Sequence, residues 1–292
     1  TLITVRPPVN ELSAGRFFLS NIAFKNEGPD AGDATCIDMQ NIHSSSFINI
    51  HLRDFGIGIY ARTCYMHSIY NMWCGGSGGT KYLINYGIAG EGGNRHWSIK
   101  GGNFRQAINL TGFDNCVFED IDFEPTTGPI LLGRENNMLR CRFEQLPLAW
   151  DDSIRSESWI TVGDGCSIEK CTFATSGFAS SGLLDGQYYI KFVGNNSIID
   201  MGPTLYHGND TAIFTSTAHG NKIIYRNPPN QLDVTKLYYA TFSHVVNQAA
   251  DDKQNFIEWN YGNKTCVEQV TARGSALTGS LVYTNLLPNT ED

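Results

Sequence analysis

One short pattern of apolar and polar positions keeps returning along the chain. Its fullest form is Cys166-Ser-Ile168-Glu-Lys-Cys171-Thr-Phe173, which reads apolar, gap, apolar, two turn residues, apolar, gap, apolar. Cys116-Val-Phe118-Glu-Asp-Ile121-Asp-Phe123 repeats it at every apolar position, and Trp97-Ser-Ile99-Lys-Gly-Gly102-Asn-Phe104 does so with one glycine. Leu19 to Phe24, Phe47 to Leu52, Ile69 to Cys74 and Met138 to Phe143 carry the last six positions. Weaker copies fall at Ile198 to Pro203 and Ile223 to Pro228. The spacing is uneven, roughly 20 to 30 residues, which is the range of a solenoid repeat. A second alternating segment often follows, as in Ile57-Gly-Ile59, Ile108-Asn-Leu110, Ile130-Leu-Leu132 and Ile160-Thr-Val162, so that one side can face a core. A sustained apolar stripe at helical spacing is missing.

The expected fold is therefore all-β: one parallel β-helix, a stack of roughly nine irregular coils. An antiparallel sandwich is the competitor, but it would not stack the same phrase so many times. The second turn residue of the phrase is Asn21, Asn49, Asn71, Gly101, Asp120 and Asp200 in six coils. These types tolerate left-handed backbone best, so they are expected to make the bend rather than carry chemistry. After Asn227-Pro-Pro-Asn230 the phrase stops and longer strand-like runs follow. The expectation is a β-helix over 1–230 and a C-terminal β-rich cap or oligomerisation element over 231–292, because an open solenoid end exposes core and strand edges.

Composition narrows the partners. The 292 residues are 41% hydrophobic with 30 glycines, which suits a folded, turn-rich chain. The formal net charge of −8, without a dense basic stripe, argues against nucleic acid. No apolar run approaches the ~18 residues of a membrane span. The opening Thr1-Leu2-Ile3-Thr4-Val5 reads as a strand rather than a signal peptide, as though the chain starts inside a fold and is a fragment of a longer protein. Most of the eight cysteines sit in short apolar strand patterns, including Cys36, Cys74, Cys116, Cys141, Cys166 and Cys171, and are expected to be reduced core thiols. No zinc-type Cys or Cys/His spacing occurs, so neither a metal nor a cofactor is expected. The four N-x-S/T sequons, at Asn109, Asn195, Asn209 and Asn263, matter only in a eukaryotic secretory setting.

The phrase, the Asn-rich bend and the uneven insertions resemble the pectin-lyase-like right-handed β-helix superfamily, and within it the bacteriophage tailspike depolymerases. The resemblance covers residues 1–230 and is specific for fold. It implies a homotrimeric spike on the phage tail, part of the virion, that binds and usually cleaves a bacterial surface polysaccharide such as capsule or O-antigen. It also implies paired carboxylates in hydrolases, or a Tyr, His, Lys or Arg base in lyases.

Stacking the coils would set equivalent residues ~4.8 Å apart. One outward column then reads Ala23, His51, Trp73, Asn103, Asp122, Arg142, Thr172, and the next reads Lys25, Arg53, Gly75, Arg105, Glu124, Glu144, Ala174. Glycoside hydrolysis needs an acid and a base or nucleophile at fixed separation, which points to Glu124, Glu144 and Asp122 as the catalytic set. Arg105, Arg142 and His51 beside them would hold substrate, and Trp73 would stack on a sugar ring. Trp150, Asp151 and Asp152 form a second candidate cluster on a long insertion. The plain alternative is a solvated charged face for the first group and an Asp-rich turn for the second. A lyase, with a base such as His51 near Arg142 or Arg105, and a non-catalytic receptor-binding spike are the competing functions.

Overall fold

The computed structural model describes residues 1–7, 15–27, 34–75, 86–124, 129–144, 158–174, 188–200, 212–215, 217–226, 245–247, 255–261 and 264–270. Among them there are strands and no helix. One sheet is built from β1 (Ile3–Val5), β3 (Thr35–Gln40), β5 (Ile57–Arg62), β7 (Tyr86–Glu91), β10 (Ala107–Asp114), β13 (Ile130–Arg134), β16 (Ser158–Val162), β19 (Tyr188–Phe192), β21 (Ala212–Phe214) and β23 (Val245–Asn247), in that order, with the short β8 (Asn94–Arg95) beside β10. The other begins with β2 (Phe18–Lys25), β4 (Ser46–Arg53), β6 (Ser68–Gly75) and β9 (Ser98–Phe104). It continues as two runs, β11 (Val117–Glu119), β14 (Asn137–Leu139), β17 (Ser167–Glu169) and β12 (Asp122–Phe123), β15 (Arg142–Glu144), β18 (Thr172–Ala174). The first run goes on through β20 (Ile198–Asp200), β22 (Lys222–Arg226) and β24 (Asn255–Tyr261) to β25 (Lys264–Val270). Pairing is parallel throughout except between β24 and β25. The chain alternates between the two sheets as it advances, which is consistent with a β-solenoid.

The bend inside the repeated phrase decides where the second sheet divides. Asn21, Asn49, Asn71, Asp120, Arg140 and Lys170 all take positive φ, between 50° and 56°, and Gly101 takes 68°. In the first coils the strand runs on through this residue; from Asp120 onward it breaks there into two, so β9 pairs with β11 and β12 together. Asn71 donates to Asn49 Oδ1 at 3.0 Å and Asn49 to Asn21 Oδ1 at 2.7 Å, tying three bends into a ladder. Gly102 is required next to the bend: its φ is 113°, and a Cβ would lie 2.0 Å from the Met72 carbonyl oxygen. Asp200 does not belong to this set. Ile199 pairs with Ile168, so Asp200 stands level with Glu169, one residue before the bend. The two adjacent isoleucines, Ile198 and Ile199, make the apolar pattern ambiguous by one position there.

Inward residues of both sheets form one buried cluster. Phe104, Phe123 and Phe143 stack along it, with ring centroids 5.8 Å and then 5.3 Å apart. Ile99, Phe118, Ile121, Cys141, Ile168 and Cys171 are buried as the pattern requires, while the side chain of Phe173 lies outside the described residues. The Cys141 amide donates to Cys171 Sγ at 3.3 Å, and Cys36, Cys64, Cys74, Cys116, Cys141, Cys166 and Cys171 are free thiols. Burial pushes the Cys36 and Cys116 thiols up to about 12, so they behave as small apolar core residues.

A buried polar column runs through the corner just before the second sheet. Ser45, His67, Asn136, Ser197, Asn221 and Asn255 occupy it, each 0% or 1% exposed. Each hands an acceptor to the amide of its counterpart in the preceding coil. Phe17 N–H donates to Ser45 Oγ at 3.0 Å, Ser45 N–H to His67 Nδ1 at 3.2 Å, and Cys116 N–H to Asn136 Oδ1 at 3.1 Å. Further along, Cys166 N–H donates to Ser197 Oγ at 3.0 Å, Ser197 N–H to Asn221 Oδ1 at 2.9 Å, and Asn221 N–H to Asn255 Oδ1 at 3.2 Å. The corner turns the backbone out of the ladder, and these side chains satisfy amides that would otherwise be buried without partners.

The domain boundary expected near residue 230 falls within 227–244, outside the described residues. Beyond it β23 and β24 still pair in parallel with β21 and β22, and β25 then turns back antiparallel. No helix of the described residues is long and apolar enough to cross a membrane.

Candidate functional site

The outward columns lie side by side on the second sheet. Strand pairing sets Ala23, His51, Trp73, Asn103, Asp122, Arg142 and Thr172 level with one another, one per strand from β2 to β18. Each sits between two inward residues of the phrase, and alternation points it to solvent. Two residues further on, Lys25, Arg53 and Gly75 pair in the same way, and the amides of Arg105 and Glu124 bond back to Cys74 and Phe104 of the preceding strands.

Two of the expected carboxyls come together. Asn103 Nδ2 donates to Asp122 Oδ2 at 3.3 Å and to Glu124 Oε1 at 3.2 Å, so one amide nitrogen bridges both. Arg105 Nε donates to Glu124 Oε2 at 3.0 Å, and the Glu124 side chain is only 15% exposed. Partial burial raises the Asp122 carboxyl above the ordinary aspartate range; the charge of Glu124 raises it further, and Arg142 works in the opposite sense. Asp122 Oδ1 and Asn103 Oδ1 are buried without a hydrogen-bond partner. Glu144 ends β15, beside β12, which carries Asp122 and is followed by Glu124, but its side chain lies outside the described residues.

The aromatic end of the patch adjoins this pair. His51 meets Trp73 edge to face with ring centroids 4.1 Å apart. Both line an open depression of ≈ 690 Å³ with Asn49, Asn71, Arg53 and Arg105. Arg105 thus borders the depression and holds Glu124. Arg142 is exposed on the far side of Asp122. Trp150, Asp151 and Asp152 lie outside the described residues. Asn103 as the bridge and Arg53 as a wall were not singled out from the sequence, although both stand in the two outward columns.

The chemistry available is that of a half-buried carboxyl that holds its proton more tightly than a free aspartate, a second carboxyl paired with arginine, and an indole and imidazole beside them. Among the described residues no group of three or more His, Cys, Asp or Glu could hold a metal ion. Compared with known proteins, the chain matches no family model, no curated protein and no solved structure.

Proposed function

We propose that the chain is a right-handed parallel β-helix of about nine coils with a C-terminal cap, forming a homotrimeric phage tailspike that binds and depolymerises a bacterial surface polysaccharide by glycoside hydrolysis. The observation that carries the reading is Arg105, which joins an aromatic, polar-walled depression to a carboxyl pair on the same outward face. Asp122 serves as general acid because its environment favours the protonated form. Glu124, oriented by Arg105 and Asn103, serves as base or nucleophile. Carboxyls bridged by one amide nitrogen favour the ~5–5.5 Å gap of retaining enzymes over the ~6.5–9.5 Å gap that leaves room for an attacking water.

The test is to incubate the full chain with capsule and O-antigen preparations from many bacteria and to size the polymers afterwards. Hydrolysis shortens one of them, and Glu124→Gln abolishes the shortening while leaving binding near its original strength. A second reading, elimination by a lyase, is favoured by His51, a ring nitrogen inside the depression that can take up a proton. Products of elimination carry a new double bond that absorbs in the ultraviolet, and products of hydrolysis do not. A spike that only binds leaves polymer length unchanged.

A further inference from the structure

We infer that the depression beside the carboxyl pair is a subsite for one sugar residue bearing an acid group, its ring on Trp73 and its acid group between Arg53 and Arg105. The inference rests on the glycan-binding reading above and adds the class of sugar. It starts from a gap in a column. Lys25, Arg53 and Gly75 end three neighbouring strands, and Arg105 and Glu124, directly after β9 and β12, continue the row. Every position but one carries a long charged side chain. A Cβ at Gly75 would come within 2.6 Å of Trp73 Cη2, so the indole occupies the space that a side chain at residue 75 would need. Glycine here leaves the indole in place between two arginine positions, whose backbones are each about 4.8 Å away in the pairing direction.

The walls suit an anion. Arg53 Nε lies 3.3 Å from Asp54 Oδ2 and Arg105 Nε lies 3.0 Å from Glu124 Oε2, contacts that orient both guanidinium planes. Each guanidinium presents N–H groups in a rigid fork that matches a carboxylate. Asn49, Asn71 and His51 supply hydroxyl-binding groups around the same floor, and no carboxylate lines it. In a chain of net charge −8, this depression joins two arginines, each oriented by a neighbouring carboxylate, and so would favour an acidic ligand.

The experiment uses the full chain and a panel of acidic bacterial capsular polysaccharides, each beside the same polymer with its carboxyl groups reduced to alcohols. The expected result is that the bound polymer carries an acid group and that reduction weakens binding at least about tenfold, the scale of one charge-assisted hydrogen bond. Arg53→Gln combined with Arg105→Gln should bind both forms equally. Gly75→Ala should displace the indole and weaken binding about as much as Trp73→Ala does, with circular dichroism unchanged. Trp73→Ala keeps the test open should Gly75→Ala fail to fold. Equal affinity for acidic and reduced polymers, or binding of neutral polymers alone, overturns the acidic subsite and leaves the glycan reading standing. Absence of binding to any acidic or neutral polymer overturns both.

Discussion

Asp122 is poorly placed for stability as an ion, and the proposed mechanism gives it the proton-transfer role. Its carboxyl is half-buried beside Glu124, and its protonation midpoint is raised in the folded chain. With a raised folded value, the stability tied to this proton is present below the ordinary aspartate range and is lost as pH rises through the folded value. Above the folded value the ionised Asp122 is a cost to the native state. In the proposed mechanism Asp122→Asn should lower turnover by ~10²–10⁴, and at a pH above the folded value it should melt no lower than the parent, which activity measurements and calorimetry across a pH series will check. His67 has the opposite logic. Burial holds its imidazole down at about 4, while its Nδ1 accepts from Ser45 N–H and its Nε2 lies 3.0 Å from the Ile42 carbonyl oxygen. Stability from neutral His67 is complete above the ordinary histidine value and is lost as pH falls from there to about 4. Protonation also removes the acceptor that Ser45 N–H needs. The loss should be on the order of 3 kcal/mol, visible as an acid shift in tryptophan fluorescence because His67 packs 4.5 Å from Trp97. His67→Gln should flatten that pH dependence.

At the scale of the strand and its bend, alternation and stacking explain what was readable in advance. The column His51, Trp73, Asn103, Asp122, Arg142 could be written from the sequence because each member lies between two apolar residues at fixed distance from a bend, which fixes its register. The meeting of Asp122 with Glu124 through Asn103 was half legible: their shared face followed from alternation, but the bridging amide depends on rotamers. Trp73 lying over Gly75 was not legible at all, because glycine in a strand reads as a weak position rather than as space for a neighbour. The buried polar corner was hidden for another reason. A pattern search treats Asn136, Ser197 and Asn221 as breaks in an apolar phrase, whereas the turning backbone needs their acceptors. Removing one should cost more than its size suggests. Asn221→Ala leaves Ser197 N–H buried without its acceptor and should cost about 1–3 kcal/mol, against ~3–5 kcal/mol for Phe123→Ala in the aromatic stack; denaturant titration of both variants checks the order.

For the whole molecule, two parallel sheets that grow together present an outward face on which the candidate site spreads over adjacent strands, as the proposed polymer substrate would require. For the proposed homotrimer, sedimentation at micromolar concentration should give three times the chain mass. The central claim is that Asp122 and Glu124 cut a bacterial polysaccharide whose sugar is held on Trp73. Its most direct test is the size distribution of capsular and O-antigen polymers after incubation with the parent chain, Asp122→Asn and Glu124→Gln. The parent should shorten a polymer that both variants bind but leave intact. A polymer that all three proteins shorten at the same rate would contradict it.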